Sequence, residues 1–212
     1  STKKWLSLFK HSKTFSSPPV TMIDAFLAAF PESETCWDTL KNCSADTSRR
    51  PTVYLTQSLY TVLNGDKVKT AYTQRLHCSD ECLASVDAFF EKDGTFFWVE
   101  IKNERVSEKN AFRIKRKASD SLLLFLDVSG LRRQAVHDRS EFILVYGENN
   151  TTAPQAVESG LDAITGSVTK LAQTEFVRFG LDTLTGVHFR KVHTLTPAEF
   201  DDFCRNHDIS IR

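Results

Sequence analysis

The side chains best suited to chemistry lie close together in the chain: Asp87, Glu100 and Lys102. Hydrolysing a phosphodiester needs a polarised phosphate, an activated water and relief of developing charge. Carboxylates holding Mg²⁺ or Mn²⁺ meet all three needs, and a lysine can orient the water or stabilise charge. Hard divalent cations prefer oxygen ligands, so two acids and a backbone carbonyl form a suitable cage. In an extended strand, residues two apart point to the same side. Glu100 and Lys102 therefore project together, with the carbonyl of Ile101 between them. A bare acid-x-Lys triplet recurs by chance in a chain with 27 acidic residues. The pattern around Glu100-Ile101-Lys102 is what gives it weight.

Asp93-Gly94 is a hairpin signal between two apolar runs, residues 83–90 and 95–102. Folding the chain about that turn sets Asp87 across from Glu100. On the second run Trp98, Glu100 and Lys102 share one face, and Phe97, Val99 and Ile101 share the other, which reads as core. Ser107 can cap a helix that begins at Glu108 and carries Ala111, Ile114, Ala118, Leu122 and Phe125 on one side. Its far end is open, because residues 122–128 also fit a buried strand. Lys109, Arg113 and Lys117 recur every four residues with Arg116 beside Lys117, a face able to track phosphates. Standing alone, such a stretch is a solvated basic face.

The remaining elements must hold this hairpin in place. Residues 53–63 have helical periodicity with Asn64-Gly65 as the stop, and residues 67–76 alternate weakly as a strand. Residues 141–147 read as a core strand, 154–179 as mostly helical and 187–195 as a strand. Thr196-Pro197-Ala198-Glu199 starts a last helix that runs through Cys204. Near the beginning, the turn signal Ser16-Ser17-Pro18-Pro19 leads into a helix over residues 20–30, ended by Pro31. The expectation is an α/β fold with a mixed β-sheet flanked by helices. Residues 1–50 are expected to be an accessory N-terminal helical segment, and 51–212 the main domain.

With 27 basic and 27 acidic residues the formal net charge is zero, so nucleic acid would have to be met by a local patch. Residues 105–139 form that patch, with nine Lys or Arg against Glu108, Asp120, Asp127 and Asp138. Sixteen Phe spread along the chain indicate a folded protein. No stretch reaches the roughly 18–20 apolar residues of a membrane span. The basic start lacks the apolar run of a secretory signal, so an intracellular protein, cytoplasmic or nuclear, is expected. Five cysteines, without the dense spacing of a disulfide scaffold, read as reduced thiols. His77, Cys78 and Cys82, taken with Cys36 and Cys43, could supply zinc ligands, although their spacing is not that of a standard knuckle. His188 and His193 show no ligand spacing, and Trp98 is expected to pack.

The order helix, strand, strand with Asp87, turn, strand with Glu100-Ile101-Lys102, helix, strand covers about residues 52–147. It resembles the PD-(D/E)XK, or restriction-endonuclease-like, nuclease superfamily. The resemblance implies a mixed-sheet α/β core that cleaves nucleic acid, with DNA slightly favoured over RNA. Asp87 and Glu100 would bind Mg²⁺ or Mn²⁺, Ile101 would lend its carbonyl, and Lys102 would assist the water. Lys109, Arg113, Arg116 and Lys117 would meet the nucleic acid. A homodimer or a larger-protein context is compatible, and no membrane is implied. Two departures stand out: Val86 precedes Asp87 where proline is usual, and Gln57 occupies the preceding helix where many members carry a glutamate. The alternatives are a catalytically inactive nucleic-acid-binding or protein-interaction domain on the same fold, and a structural module in which Asp87, Glu100 and Lys102 are a cross-strand salt-bridge cluster.

Overall fold

The computed structural model describes residues 21–47, 50–103, 106–147 and 177–209. In chain order the elements are α1 (Met22–Ala29), β1 (Trp37–Thr39), α2 (Leu40–Cys43), β2 (Ala45–Asp46), β3 (Val53–Tyr54), β4 (Thr61–Asn64) and α3 (Gly65–Arg75). There follow β5 (Ala88–Lys92), β6 (Thr95–Lys102), α4 (Glu108–Ser129), α5 (Arg133–His137), β7 (Ser140–Tyr146), β8 (Lys191–Leu195) and α6 (Pro197–Asn206). Six strands form one mixed sheet in the order β1-β4-β5-β6-β7-β8, and β2 pairs with β3 separately. The pairs β1–β4, β4–β5 and β5–β6 are antiparallel, whereas β6–β7 and β7–β8 are parallel. A parallel pair needs a crossover, and α4 lies in the chain segment that joins β6 to β7.

Helices cover both faces of the sheet, so β6 and β7 read as nearly continuous apolar runs. On one face Phe89, Phe96, Trp98 and Phe142 pack with Phe26 of α1 and Phe125 of α4. The rings of Phe26 and Phe125 stack at 5.1 Å and 6°. On the other face Phe90, Phe97, Val99 and Ile143 pack with Phe200 and Cys204 of α6 and Leu40 of α2. Both faces are therefore core, including the side of β6 that carries Trp98 and Glu100, where only the opposite side was expected to be. Residues 21–47, expected to be accessory, contribute α1 to this core and β1 to the edge of this sheet.

The local signals acted as expected in several places. Asp93 and Gly94 both take positive φ, 49° and 74°, as the turn of a tight hairpin requires. Thr21 with Asp24, and Thr196 with Glu199, form capping boxes, and Ser107 accepts from the Asn110 N–H. The uncertain stretch 122–128 is helix, closed by Gly130 at φ 64°.

The region before the hairpin differs from expectation. Residues 53–63 are not a helix: they form β3, a coil and the start of β4, with Val62 and Leu63 buried one on each face. Asn64-Gly65 opens a helix instead of closing one, because the Asn64 side chain accepts from the Lys67 N–H. The weak alternation over 67–76 gives way to helix α3, whose buried Val68 and Tyr72 stand four apart. The strand before the turn begins at Ala88 and not 83, and the last begins at Lys191 and not 187. Most of the helical stretch expected over 154–179, and Ser16 to Pro19, lie outside the described residues. No described helix is long and apolar enough to cross a membrane.

Candidate active site

Asp87 is held at the start of β5 by contacts from two helices. The Val86 N–H donates to Ser121 Oγ of α4 at 2.9 Å, and the Ala84 N–H donates to Asp120 Oδ2 at 2.9 Å. The Ser85 hydroxyl donates to Asp66 Oδ1 of α3 at 2.6 Å. The Gly65 N–H donates to the Asp87 carbonyl at 3.0 Å. A Cβ at position 65 would lie 1.8 Å from the Val86 carbonyl oxygen, so only glycine allows α3 this close to the strand. The hairpin register pairs Ala88 with Val99, and one step further brings Asp87 to Glu100. That juxtaposition is the one anticipated from the Asp93-Gly94 turn.

Around this pair the geometry is tight. Asp87 Oδ2 accepts from the Ile101 N–H at 2.6 Å. The Lys117 ammonium donates to Asp87 Oδ1 at 3.2 Å and to Glu100 Oε2 at 3.0 Å. It also stands 2.9 Å from Glu100 Oε1, and Lys102 Nζ lies 3.0 Å from the same oxygen. Neither approach to Oε1 has hydrogen-bond angles, so this oxygen is buried without a hydrogen bond. Glu100 itself is fully buried. Burial, reinforced by the Asp87 charge, pushes its carboxyl up to about 7 against the opposing pull of Lys117 and Lys102. Burial works against the Lys117 ammonium, but the attraction of Glu100 and Asp87 outweighs it and raises its affinity for the proton.

Asp87, Ile101 and Lys102 border a cleft of about 240 Å³, closed on its other side by Cys43, Ser44, Asp46, Leu55 and Asn103. It opens at the carboxyl end of β6, where open α/β sheets bind ligands. Asp46 Oδ2 accepts from Asn103 Nδ2 at 2.8 Å. Burial, with the charges of Asp38 and Asp87, pushes the Cys43 thiol up to about 12, so it stays protonated and unreactive.

Asp87, Glu100, Lys102 and the Ile101 backbone are thus brought together. Lys117, expected on a phosphate-tracking face, is instead turned inward to bridge the two acids. Its position between the buried Ile114 and Ser121, at helical spacing, was the signal for this. Lys109, Arg113 and Arg116 remain exposed, and Arg116 pairs with Asp120 at 3.3 Å. Gln57 is exposed in the coil between β3 and β4, on no helix, because the helix expected there does not form. Sequence reasoning missed Gly65, Asp120 and Ser121 as positioning groups, and Asp46 in the cleft. Among the described residues, no group of three or more His, Cys, Asp or Glu side chains is arranged to hold a metal ion. The cysteines are scattered: Cys36 and Cys204 are buried, whereas Cys78 and Cys82 are exposed. His188 meets Ser119 at 3.2 Å, and His193 meets Glu141 at 2.8 Å.

No protein-family model matches this chain, and no curated protein or solved structure matches it either.

Proposed function

We propose that the chain is a Mg²⁺- or Mn²⁺-dependent nuclease on a restriction-endonuclease-like core, hydrolysing phosphodiester bonds of nucleic acid, DNA ahead of RNA. One observation carries this reading: Asp87 and Glu100 converge on a single cationic point, now the Lys117 ammonium, within 3.2 Å of both carboxylates. Asp87, Ile101 and Lys102 line the cleft, and Glu100 is buried next to them.

The donor set suits a hard divalent ion. Mg²⁺ is commonly bound through one or two carboxylates, with waters and substrate phosphates completing its shell. Glu100 Oε1, buried without a hydrogen bond, lies 2.9 Å from Lys117 Nζ and 3.0 Å from Lys102 Nζ, so an ion there takes the place of an ammonium. Asp87, Glu100 and the Ile101 carbonyl would hold the ion, which when bound polarises the phosphate and acidifies water. Lys102, 3.0 Å from Glu100, is placed to orient the attacking water or meet developing charge. The Ile101 N–H fixes the Asp87 carboxylate, and Lys117 keeps the two acids from repelling one another.

The test is cleavage of plasmid, single-stranded DNA and RNA in Mn²⁺, with Lys102→Ala expected to lose activity and keep its fold by circular dichroism. A thermal shift with Mn²⁺ is expected in the wild type and absent in Asp87→Ala. If all three substrates survive at high protein concentration, the enzymatic reading fails. A second reading, a nucleic-acid-binding domain without catalysis, is favoured by the same lysine. Lys117 and Lys102 already balance the charge of both acids, so the site needs no ion to be stable. It predicts no Mn²⁺ shift in the wild type and no cleavage, with nucleic acid still bound.

A further inference from the structure

Phe112 is 71% exposed, the most exposed large apolar side chain among the described residues. It does not belong to the buried seam of α4, which runs through Ile114, Ala118, Leu122 and Phe125. Its neighbours at helical spacing are Lys109 three residues before it and Arg116 four after it, with Arg113 adjoining, all exposed. Beside the ring runs a mostly apolar groove of about 350 Å³, walled by Val106, Ala111, Lys115 and a second ring, Phe179.

We propose that this face of α4 is a docking platform for single-stranded nucleic acid, with Phe112 stacking on a base and Lys109, Arg113 and Arg116 holding the flanking phosphates. The inference rests on the nucleic-acid reading above and specifies its substrate. Charge decides the class of partner. An exposed ring ringed by cations, with Glu108 the one acid among the described residues of the groove wall, suits a polyanion that itself carries aromatic faces. A second apolar protein surface would leave those cations desolvated and unmatched. The strand must be unpaired, because bases inside a duplex are already stacked and present no free face to Phe112. Stacking and phosphate contacts do not depend on the 2′-hydroxyl, so the platform takes single-stranded DNA and RNA alike. Lys117 lies five residues along the same helix, about 7.5 Å of axial rise and roughly 140° around it.

Binding of a fluorescein-labelled oligo-dT is measured by anisotropy in EDTA, where no cleavage occurs and the metal site plays no part. Phe112→Ala is expected to weaken oligo-dT binding roughly 5- to 150-fold, the range for removing one stacking ring. Phe112→Trp should retain it, and duplex binding and the melting temperature should not change with Phe112→Ala. Arg113→Ala should lower the salt dependence of log Kd by about 0.7. The proposal is overturned if Phe112→Ala binds oligo-dT like the wild type. It is also overturned if duplex binds as tightly as oligo-dT. A fall of many degrees in the melting temperature would show that the ring packs within the chain's own interior, and overturns it too. Cleavage without any Phe112 effect sinks only this proposal, whereas Phe112-dependent binding without cleavage sinks only the nuclease reading.

Discussion

Two glutamates buried on adjacent parallel strands, Glu100 on β6 and Glu141 on β7, have opposite electrostatic fates. Glu141 faces the α6 side of the sheet, where Arg190 meets Oε1 at 2.5 Å and His193 meets Oε2 at 2.8 Å. Burial alone would raise its pKa, but the hydrogen bonds from His193 and Arg190 prevail and hold it at about 2. Glu100 faces the α4 side, has a second acid beside it and keeps one oxygen without a hydrogen bond. It is pushed up to about 7. One carboxylate is fully satisfied by its surroundings and locks two strands together. The other is held near the point where a proton, an ammonium or a metal ion can each claim it. Strained charge marks a functional site more often than a contented ion pair does, and that asymmetry points to Glu100.

The largest effect is expected from removing the cation that reconciles the two acids. Lys117→Ala leaves Asp87 and Glu100 facing each other under cover, and breaking such a buried arrangement costs about 3–5 kcal/mol. Urea denaturation at pH 8 should reveal it, and adding Glu100→Gln should recover part of the loss. A Lys117→Ala protein as stable as the wild type would mean that Lys117 is not what holds the two acids together.

The next largest effect is a stability profile whose two limbs have different owners. Glu100 has a folded-state pKa above its ordinary 4.5, so the folded protein holds the proton more tightly than the unfolded chain. Its contribution is full below about 4.5 and is lost as pH rises through about 7. Glu141 is shifted the other way: its contribution is present above about 4.5 and lost as pH falls toward about 2. Each pKa unit is worth about 1.4 kcal/mol, so the neutral limb should span roughly 3 kcal/mol in metal-free protein. Glu100→Gln should flatten the neutral limb alone, and Glu141→Gln the acid limb alone. Both limbs responding to one substitution would show the two clusters to be coupled.

The comparison also explains what was legible beforehand. Asp93-Gly94, Ser107 and Thr196-Pro197-Ala198-Glu199 announced a hairpin and two helix starts because their hydrogen bonds close within a few residues. The meeting of Asp87 and Glu100 followed from that hairpin. Asn64-Gly65 misled because the same dipeptide can end a helix or begin one. Here the Asn64 side chain caps the Lys67 N–H, and Gly65 fits against Val86, a contact distant in sequence. Lys117 was unreadable for a similar reason. A lysine in a basic helix is expected to face water, and only acids seventeen and thirty residues upstream draw this one inward. The pairing of Glu141 with His193 spans fifty-two residues and had no local signature either.

Gly65 gives a somewhat smaller way to separate the clusters. Gly65→Ala forces a methyl against the Val86 carbonyl and should cost about 1–3 kcal/mol, as overpacking does. Because the displaced backbone carries Asp87, the neutral limb of the pH profile should shrink with it while the Glu141 limb stays. An unchanged neutral limb would mean that burial, without Asp87, sets the behaviour of Glu100.

The smallest effect comes from the residue next to Lys117. Arg116 also pairs with a carboxylate, Asp120 one turn further along α4 at 3.3 Å, but its side chain is 53% exposed. An exposed pair at this spacing contributes about 0.3–0.5 kcal/mol, since water and salt screen it. Arg116→Ala should therefore move the denaturation midpoint barely beyond error, and 0.5 M salt should erase even that. If Arg116→Ala instead matched Lys117→Ala, the contribution would come from Asp120, whose other bond fixes Ala84 three residues before Asp87. The positioning of Asp87, and not the charge balance at Glu100, would then hold the site together.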